Sequence, residues 1–349
     1  MTGAFNRSGS ILVWGIAGAS LGMEIAKSLS LAGYHSIIGC DISPLAYGHY
    51  SEIFQATYTL DQNSLEASFN RVLKETKPNF VLPGGDQVAR LIGTLGNIFD
   101  VSHCHVVGND PSVVESTSDK FRVIERLKEL GFPVPETRLL ESLASVADFP
   151  LPAVLKPRFD SGGSRGVFVV SKTQELQDRA EVLLEQGVPY VLQAYLSEAA
   201  GEYTIGVLSC TDRSTAGSIV MQRTFQNLLS VHDRGANYLI SSGSSQGIFR
   251  RDRNLQRQAE AIASAIESTG PLNIQGRVVG DTLFPFEINP RFSASTYLRA
   301  LSGVNEVDLY LQHLISGEAI HYPMWRQGLA LRSFAEVFVD SESDPNLVL

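Results

Sequence analysis

The sequence predicts a protein of mixed class, an α/β lobe with a parallel sheet followed by a larger α+β region in two parts. Three observations predict it. From Ser10 to about Pro111, short apolar runs alternate with amphipathic ones, as parallel strands joined by crossover helices require. Beyond Pro111 strand-like runs and helices continue, and the last two runs flank Gly280-Asp281 as a hairpin does. A chain of 349 residues also exceeds one simple core and fits about two or three fused lobes.

In the first lobe, Ile11-Leu12-Val13-Trp14 reads as a buried strand, and Gly15, Gly18 and Gly22 mark a turn into a helix from Met23 to Ala32. His35 to Cys40 is a second strand that ends in Asp41. Phe80 to Pro83 is a later strand closed by Gly84-Gly85-Asp86, and His105 to Gly108 another. Together they predict a Rossmann-like lobe over residues 1–111, with Asp86 at a strand's carboxyl end, where ligands lie in open α/β sheets. The run Gly15 to Gly22 followed by Asp41 also invites a dinucleotide-binding interpretation. Its spacing is not G-x-G-x-x-G, so nicotinamide binding is the lesser alternative.

A boundary falls near Asn109-Asp110-Pro111, and Ser118-Asp119-Lys120 opens a helix with apolar positions Phe121, Ile124 and Leu127. Ser118 is expected as its N-cap and Gly131 as its stop, with Pro133 and Pro135 forbidding continuation. Strands follow at Ala153–Lys156, Gly166–Val170 and Tyr190–Leu192, with a helix from Thr173 to Gln186 between them. Tyr203–Cys210 and Ser218–Arg223 are further strands, and Leu255–Thr269 is a helix. Leu272–Val279 pairs with Leu283–Asn289 through Gly280-Asp281, a hairpin signal of turn residues between apolar runs. The second region is expected to span 112–340, with lobes at about 148–200 and about 200–325, and an acidic, frayed tail at 341–349.

The net charge of −9 argues against nucleic acid or an anionic membrane as partner, so any phosphate site must be a local basic cluster. Cys40, Cys104 and Cys210 are odd in number and far apart, which points away from a disulfide framework and toward a reducing compartment. His103-Cys104-His105 reads as a strand end, since no second cluster accompanies it. Met1 to Gly9 is polar with no signal-like apolar run, and no segment approaches a membrane span; a cytoplasmic protein is expected.

The chemistry concentrates in Phe284 to Thr296. In a strand, Glu287, Asn289 and Arg291 point the same way, with Phe286 and Ile288 toward a core. Glu287 and Asn289 offer oxygens to a hard cation and Arg291 awaits an anion, which suits metal-assisted phosphoryl transfer. The plain alternative is an edge strand with a solvated polar face. Upstream, Pro157 to Gly166 is rich in glycine and serine, which lets backbone N–H groups approach phosphate oxygens. Lys156 ends an otherwise apolar strand before it and must reach solvent or an anion.

The order of Ser118-Asp119-Lys120-Phe121, Leu155-Lys156-Pro157 with its glycine-rich turn, Gly201-Glu202-Tyr203-Thr204, and Asn273-Ile274-Gln275 with Glu287-Ile288-Asn289-Pro290-Arg291 resembles the ATP-grasp superfamily, and within it the carbamoyl-phosphate-synthetase-like carboxylate-amine ligases. The resemblance covers nearly the whole chain and implies a Rossmann-like N-terminal lobe followed by a two-lobed ATP-grasp domain. It implies that Lys120 and Lys156 hold ATP phosphates under a lid comprising Ser161, Gly162, Gly163, Ser164 and Gly166. It implies a hinge at Gln193-Ala194-Tyr195-Leu196 for adenine, with Glu202 on the ribose. A glutamate is usual where Ala194 stands, which leaves backbone contacts and Gln193 to recognise the base. The implied metal ligands are Gln275, Glu287 and Asn289, for Mg²⁺ or Mn²⁺, and Arg277 and Arg291 are the catalytic candidates that stabilise charge on the transferred group.

The function this implies is an ATP- and Mg²⁺-dependent ligase that joins a carboxylate to an amine, amino-acid-like in character, through an acyl phosphate and releases ADP and phosphate. The alternatives are an enzyme whose final product is an acyl or carbamoyl phosphate, and a nucleotide-binding regulatory protein without turnover. A homodimer is the expected assembly on general grounds.

Overall fold

The computed structural model describes residues 7, 9–18, 21–94, 99–100, 103–159, 164–197, 200–226, 228–333 and 335–336. The expected tail at 341–349 lies outside them. Among the described residues no helix is long and apolar enough to cross a membrane.

The N-terminal lobe contains β1 (Ile11–Trp14), α1 (Leu21–Ala32), β2 (Ile37–Asp41), β3 (Ala56–Thr59), α2 (Leu65–Thr76), β4 (Phe80–Pro83), α3 (Asp86–Thr94) and β5 (His105–Val106). The strands form one parallel sheet in the order β3-β2-β1-β4-β5, so the chain reverses its direction of travel between β1 and β4. That switch point opens a crevice at the strands' carboxyl ends. Backbone closes in tightly there: a Cβ on Gly84 would lie 2.4 Å from the Gly15 carbonyl oxygen, so only glycine fits. Asp41 accepts from the Ile16 and Ala17 N–H groups at 2.8 and 3.2 Å. These are amides of the turn that a dinucleotide phosphate would need, which weighs against the nicotinamide alternative.

Two helices follow, α4 (Pro111–Ser118) and α5 (Lys120–Glu129). The cap of α5 is Asp119, whose carboxylate accepts from Phe121 and Arg122 N–H at 3.0 and 3.2 Å. The expected cap, Ser118, ends the preceding helix instead and donates its hydroxyl to the Val114 carbonyl at 2.6 Å. The difference arises because α4 occupies the stretch that the sequence pattern presents as a linker.

The second sheet is antiparallel and carries β6 (Thr137–Leu139), β7 (Ala153–Pro157), β8 (Phe168–Val170) and β9 (Tyr190–Ala194) in the order β6-β9-β7-β8, with α6 (Thr173–Glu185) packed on it. The third sheet holds β10 (Glu202–Ser209), β11 (Thr215–Arg223), β14 (Gly247–Phe249), β15 (Pro271–Val279), β16 (Thr282–Asn289) and β17 (Gly328–Ala330), in the order β16-β15-β10-β11-β14-β17. A separate hairpin of β12 (Val231–Arg234) and β13 (Leu239–Ser241) projects between β11 and β14. The helix α7 (Arg253–Ala265) and α5 cover the third sheet through Val123, Ile124, Leu127, Leu255, Ala259 and Ile262 against Ile205, Val207, Val220 and Ile274. Then α8 (Thr296–Ser302) and α9 (Glu306–Ser316) return the chain to the first lobe, where Val307, Tyr310 and Leu311 join the core of Ile11, Val13 and Ile25.

The hairpin β15–β16 sets Gln275 opposite Glu287 and Asn273 opposite Asn289. Its register shifts between Gln275 and Gly276, which pair with Glu287 and Pro285, so Phe286 is an extra residue in a bulge. Phe286 was expected to face the core with Ile288. Ile288 does so, but the bulge turns Phe286 to the cleft between the sheets.

Candidate nucleotide and metal site

The lobes meet around an open cleft of about 1090 Å³. Asp86 reaches it from the first lobe, Val154, Lys156 and Gln193 from the second sheet, and Glu202, Asn273, Gln275, Arg277, Glu287 and Arg291 from the third sheet and its exit. Leu239 to Gly243 of the β12–β13 hairpin form the facing wall.

Lys156 lies at the carboxyl end of β7 with its side chain buried, and its ammonium donates to Gln193 Oε1 at 2.9 Å and to the Phe286 carbonyl at 2.7 Å. Burial pushes this ammonium down to about 7; Glu287 opposes the shift and Lys120 adds to it. The Phe286 bulge thus has a local purpose, since it aims a main-chain oxygen at a buried cation. Gln193 donates its Nε2 to Thr137 Oγ1 at 3.0 Å. Its amide thus bridges Lys156 and Thr137 beside Ala194, with one N–H and one oxygen lone pair still unused among the described residues.

Around the hinge, Ala194 N–H donates to the Glu136 carbonyl and Tyr195 N–H to that of Pro152. The Tyr195 hydroxyl accepts from Leu239 N–H at 2.8 Å, which ties the hinge to the hairpin wall. Arg277 stacks on the Tyr195 ring at 4.6 Å and donates to Glu202 Oε2 and the Leu239 carbonyl, each at 3.2 Å, and to the Leu196 carbonyl. Arg223 donates to Glu202 Oε1 at 3.0 Å, so this buried carboxylate sits between two guanidinium groups. Arg277 was expected beside the transferred phosphoryl group with Arg291. Arg277 does share the cleft-facing side of β15 with Gln275, as strand alternation predicts, and its guanidinium rests against the hinge and Glu202.

At the other end, Arg291 donates to both carboxylate oxygens of Asp86 at 2.7 and 2.8 Å. Burial raises the Asp86 carboxyl, but Arg291 and then Lys120 outweigh it and hold it below the usual carboxylate range. Lys120 shares a recess with Asp86, Glu287, Asn289 and Arg291. Its strand-side neighbour is secured by Arg158, which donates to both oxygens of Asp119 at 2.9 and 2.6 Å. Ser164 donates its hydroxyl to the Ser241 carbonyl at 2.7 Å, joining the end of the glycine-rich turn to the hairpin wall, and Gly166 leads on into β8. Ser161, Gly162 and Gly163 lie outside the described residues.

Glu287 accepts from Asn289 Nδ2 at 3.2 Å, and Gln275 faces Glu287 across the hairpin. Among the described residues no group of three or more His, Cys, Asp or Glu side chains gathers as a metal cage. One carboxylate and two carboxamides nonetheless fit Mg²⁺, which favours hard oxygen donors, is met by one or two carboxylates, and keeps other positions for water and phosphate. Sequence patterning missed Thr137, which orients Gln193, and Asn273, which lines the cleft beside Gln275. Residues 228–247, the polar and glycine-rich stretch that carries the β12–β13 hairpin, also reach the cleft. The apolar pair Leu239-Ile240 between polar runs was the available signal that this loop forms a wall.

Residues 189–337 match the family described as ATP-grasp in the biosynthetic pathway with Ter operon. The carbamoyl phosphate synthase large chain of Neisseria meningitidis serogroup B is 27% identical over 205 residues, 57% of this chain and 18% of that relative. The chain therefore spans less than a fifth of that relative's length. Among solved structures, the L-amino acid ligase from Bacillus licheniformis superposes with a TM-score of 0.66 at 13% identity, covering 89% of this chain and 75% of the other. The biotin carboxylase domain dimer of the Hydrogenobacter thermophilus 2-oxoglutarate carboxylase, in complex with MgADP, ADP and bicarbonate, does so with a TM-score of 0.65 at 15% identity, over 92% and 73%. Three lobes around one cleft, with the lysine strand and the hairpin of oxygen donors facing it, are the architecture that these structures share in fold. Residues 189–337 thus carry the match to an ATP-grasp family model, carbamoyl phosphate synthase large chains are among the chain's sequence relatives, and the fold is shared with these ligase and carboxylase structures.

Proposed function

We propose that this protein is an ATP- and Mg²⁺-dependent carboxylate-amine ligase of the cytoplasm, which activates an amino-acid-like carboxylate as its acyl phosphate and passes the acyl group to an amine. The carrying observation is that Lys156, Glu287 and Arg291, from separate strands and a loop, converge on one cleft with Lys120 at its inner recess. A carboxylate is a poor electrophile and its oxide a poor leaving group; phosphorylation remedies both. Such chemistry needs no protein nucleophile, and positioning with charge stabilisation is the protein's task.

In this scheme Lys156 and Lys120 neutralise phosphate oxygens, while the hinge Gln193–Leu196 and the apolar side chains Val154, Val169, Leu239 and Ile240 enclose the base. Glu202 takes the ribose hydroxyls and keeps Arg223 and Arg277 as counter-charges. Gln275, Glu287 and Asn289 hold Mg²⁺, which when bound supplies charge neutralisation to the reacting phosphates. Arg291 exchanges Asp86 for the transferred phosphoryl group and the acyl phosphate. The structural relatives, an L-amino acid ligase and a biotin carboxylase domain in complex with MgADP, support nucleotide use and a small acid as substrate.

The test is ADP release by the purified chain with pooled amino acids and small carboxylates, compared with Glu287→Gln. Turnover in the variant should fall by at least about 10²-fold while nucleotide still binds. Near-normal ADP formation in Glu287→Gln would place the metal site elsewhere and remove the main support for the ligase scheme.

A further inference from the structure

Behind the cleft, outside everything assigned above, lies a buried ion pair. Arg299 and Glu306 are each almost fully enclosed, and Arg299 Nη1 donates to Glu306 Oε2 at 2.9 Å. The third sheet makes room for them by omitting a side chain: a Cβ on Gly206 would lie 2.2 Å from Arg299 Nη1 and 2.3 Å from Glu306 Oε1. Arg299 Nε has no partner. With one arm of its fork on Glu306, this buried guanidinium keeps the other to order a polar neighbour on the sheet.

That arm reaches Asn273. Arg299 Nη2 donates to Asn273 Oδ1 at 2.7 Å, and Thr204 Oγ1 donates to the same oxygen at 2.8 Å. A guanidinium cannot accept a hydrogen bond, so the orientation of the Asn273 amide is settled by chemistry: the oxygen faces Arg299 and the NH₂ group faces away. Asn273 is 2% exposed yet lines the cleft. Among the described residues no acceptor takes its NH₂ group, and that nitrogen is not sealed from the cleft. A locked donor at this depth repels a cation and attracts an anion. It stands on the wall that Arg291 and Ser293 also line.

We propose that Arg299, anchored by Glu306, is a positioning residue that holds the Asn273 NH₂ group toward the cleft, where Asn273 donates to an anionic oxygen of the transferred phosphoryl group. The proposal rests on the ligase scheme above and adds an oxyanion donor to it. Asn273→Asp separates the two halves of the side chain. The oxygen bonded to Arg299 and Thr204 is retained, while the cleft-facing donor becomes an anion.

The experiment titrates inorganic phosphate onto the full chain preloaded with ADP and Mg²⁺, by calorimetry. Asn273→Asp should lose at least about tenfold in phosphate affinity with ADP affinity within about twofold of wild type, the change expected when a donor to an anion becomes an acceptor. Arg299→Gln should lose about threefold or more in phosphate affinity alone, because the Asn273 amide is then free to turn. Wild-type phosphate affinity in Asn273→Asp would overturn the proposal even if Arg299→Gln does not fold. Absence of phosphate binding to the wild-type ADP complex up to about 50 mM would overturn it as well. Failure of ADP itself to bind would overturn the ligase scheme and the proposal together.

Discussion

Lys156 shows how burial converts a common side chain into a sensor of its ligand. Its ammonium is held at about 7 against an ordinary 10.5. Between these values the unfolded chain carries the proton and the folded one does not, so this group's contribution to stability rises with pH across that window and is at its most unfavourable below about pH 7. Phosphate oxygens restore the charged form. ADP binding at about pH 8.5 should therefore take up close to one proton, and at about pH 6 none from this group. Calorimetric titration in two buffers of different ionisation enthalpy measures the uptake, and Lys156→Met should abolish it. Equal heats in both buffers at the higher pH would show that Lys156 does not meet the phosphates. A lysine ending an apolar strand was conspicuous in the sequence, but its partners Gln193 and the Phe286 carbonyl were not, because 37 and 130 residues separate them from it.

The strands that matter most were readable because their signals are local. Gly280-Asp281 between apolar runs announced the β15–β16 hairpin, and Gly280 indeed adopts a positive φ of 62° at its turn. The bulge at Phe286 was hidden, since period-2 alternation carries no mark of one inserted residue. That residue turns Phe286 from the core side it would share with Ile288 toward the cleft. The cap of α5 was misassigned by one position for a similar reason. Ser118 and Asp119 both favour caps, and only the end of α4 at Ser118 decides between them. Asp119 also pairs with Arg158, so it links α5 to the segment after β7. Asp119→Ala should destabilise the protein by about 1 to 2 kcal/mol, the range for losing a cap, read as a lower midpoint in urea at constant slope. A loss below about 0.5 kcal/mol would mean that neither the cap nor the pair is maintained in solution.

Across the whole molecule, the first lobe is joined to the rest by a shared core and by polar ties. Asn305 Nδ2 donates to the Ser28 carbonyl at 2.7 Å, and Arg332 pairs with Glu24 at 2.8 Å. The Asp86–Arg291 pair is the tie that crosses the cleft itself, spanning 205 residues of sequence. It occupies the guanidinium that the ligase scheme assigns to the transferred group. Asp86→Asn removes the competing carboxylate, so phosphate should bind the ADP complex about three- to tenfold more tightly, about 1 kcal/mol. Weaker phosphate binding in Asp86→Asn would instead make Asp86 the support that aims Arg291.

The sequence by itself determined the class of fold and the residues on the lysine strand and the β15–β16 hairpin, because periodicity, turn chemistry and short motifs act over a few residues. Tertiary structure alone decided which charges meet: Arg277 and Arg223 on Glu202, Arg291 on Asp86, and Arg299 on Asn273. Those pairings depend on how three sheets lean on one another around a cleft. Each buried charge takes the partner that the packing brings within hydrogen-bond reach, whatever its distance along the chain.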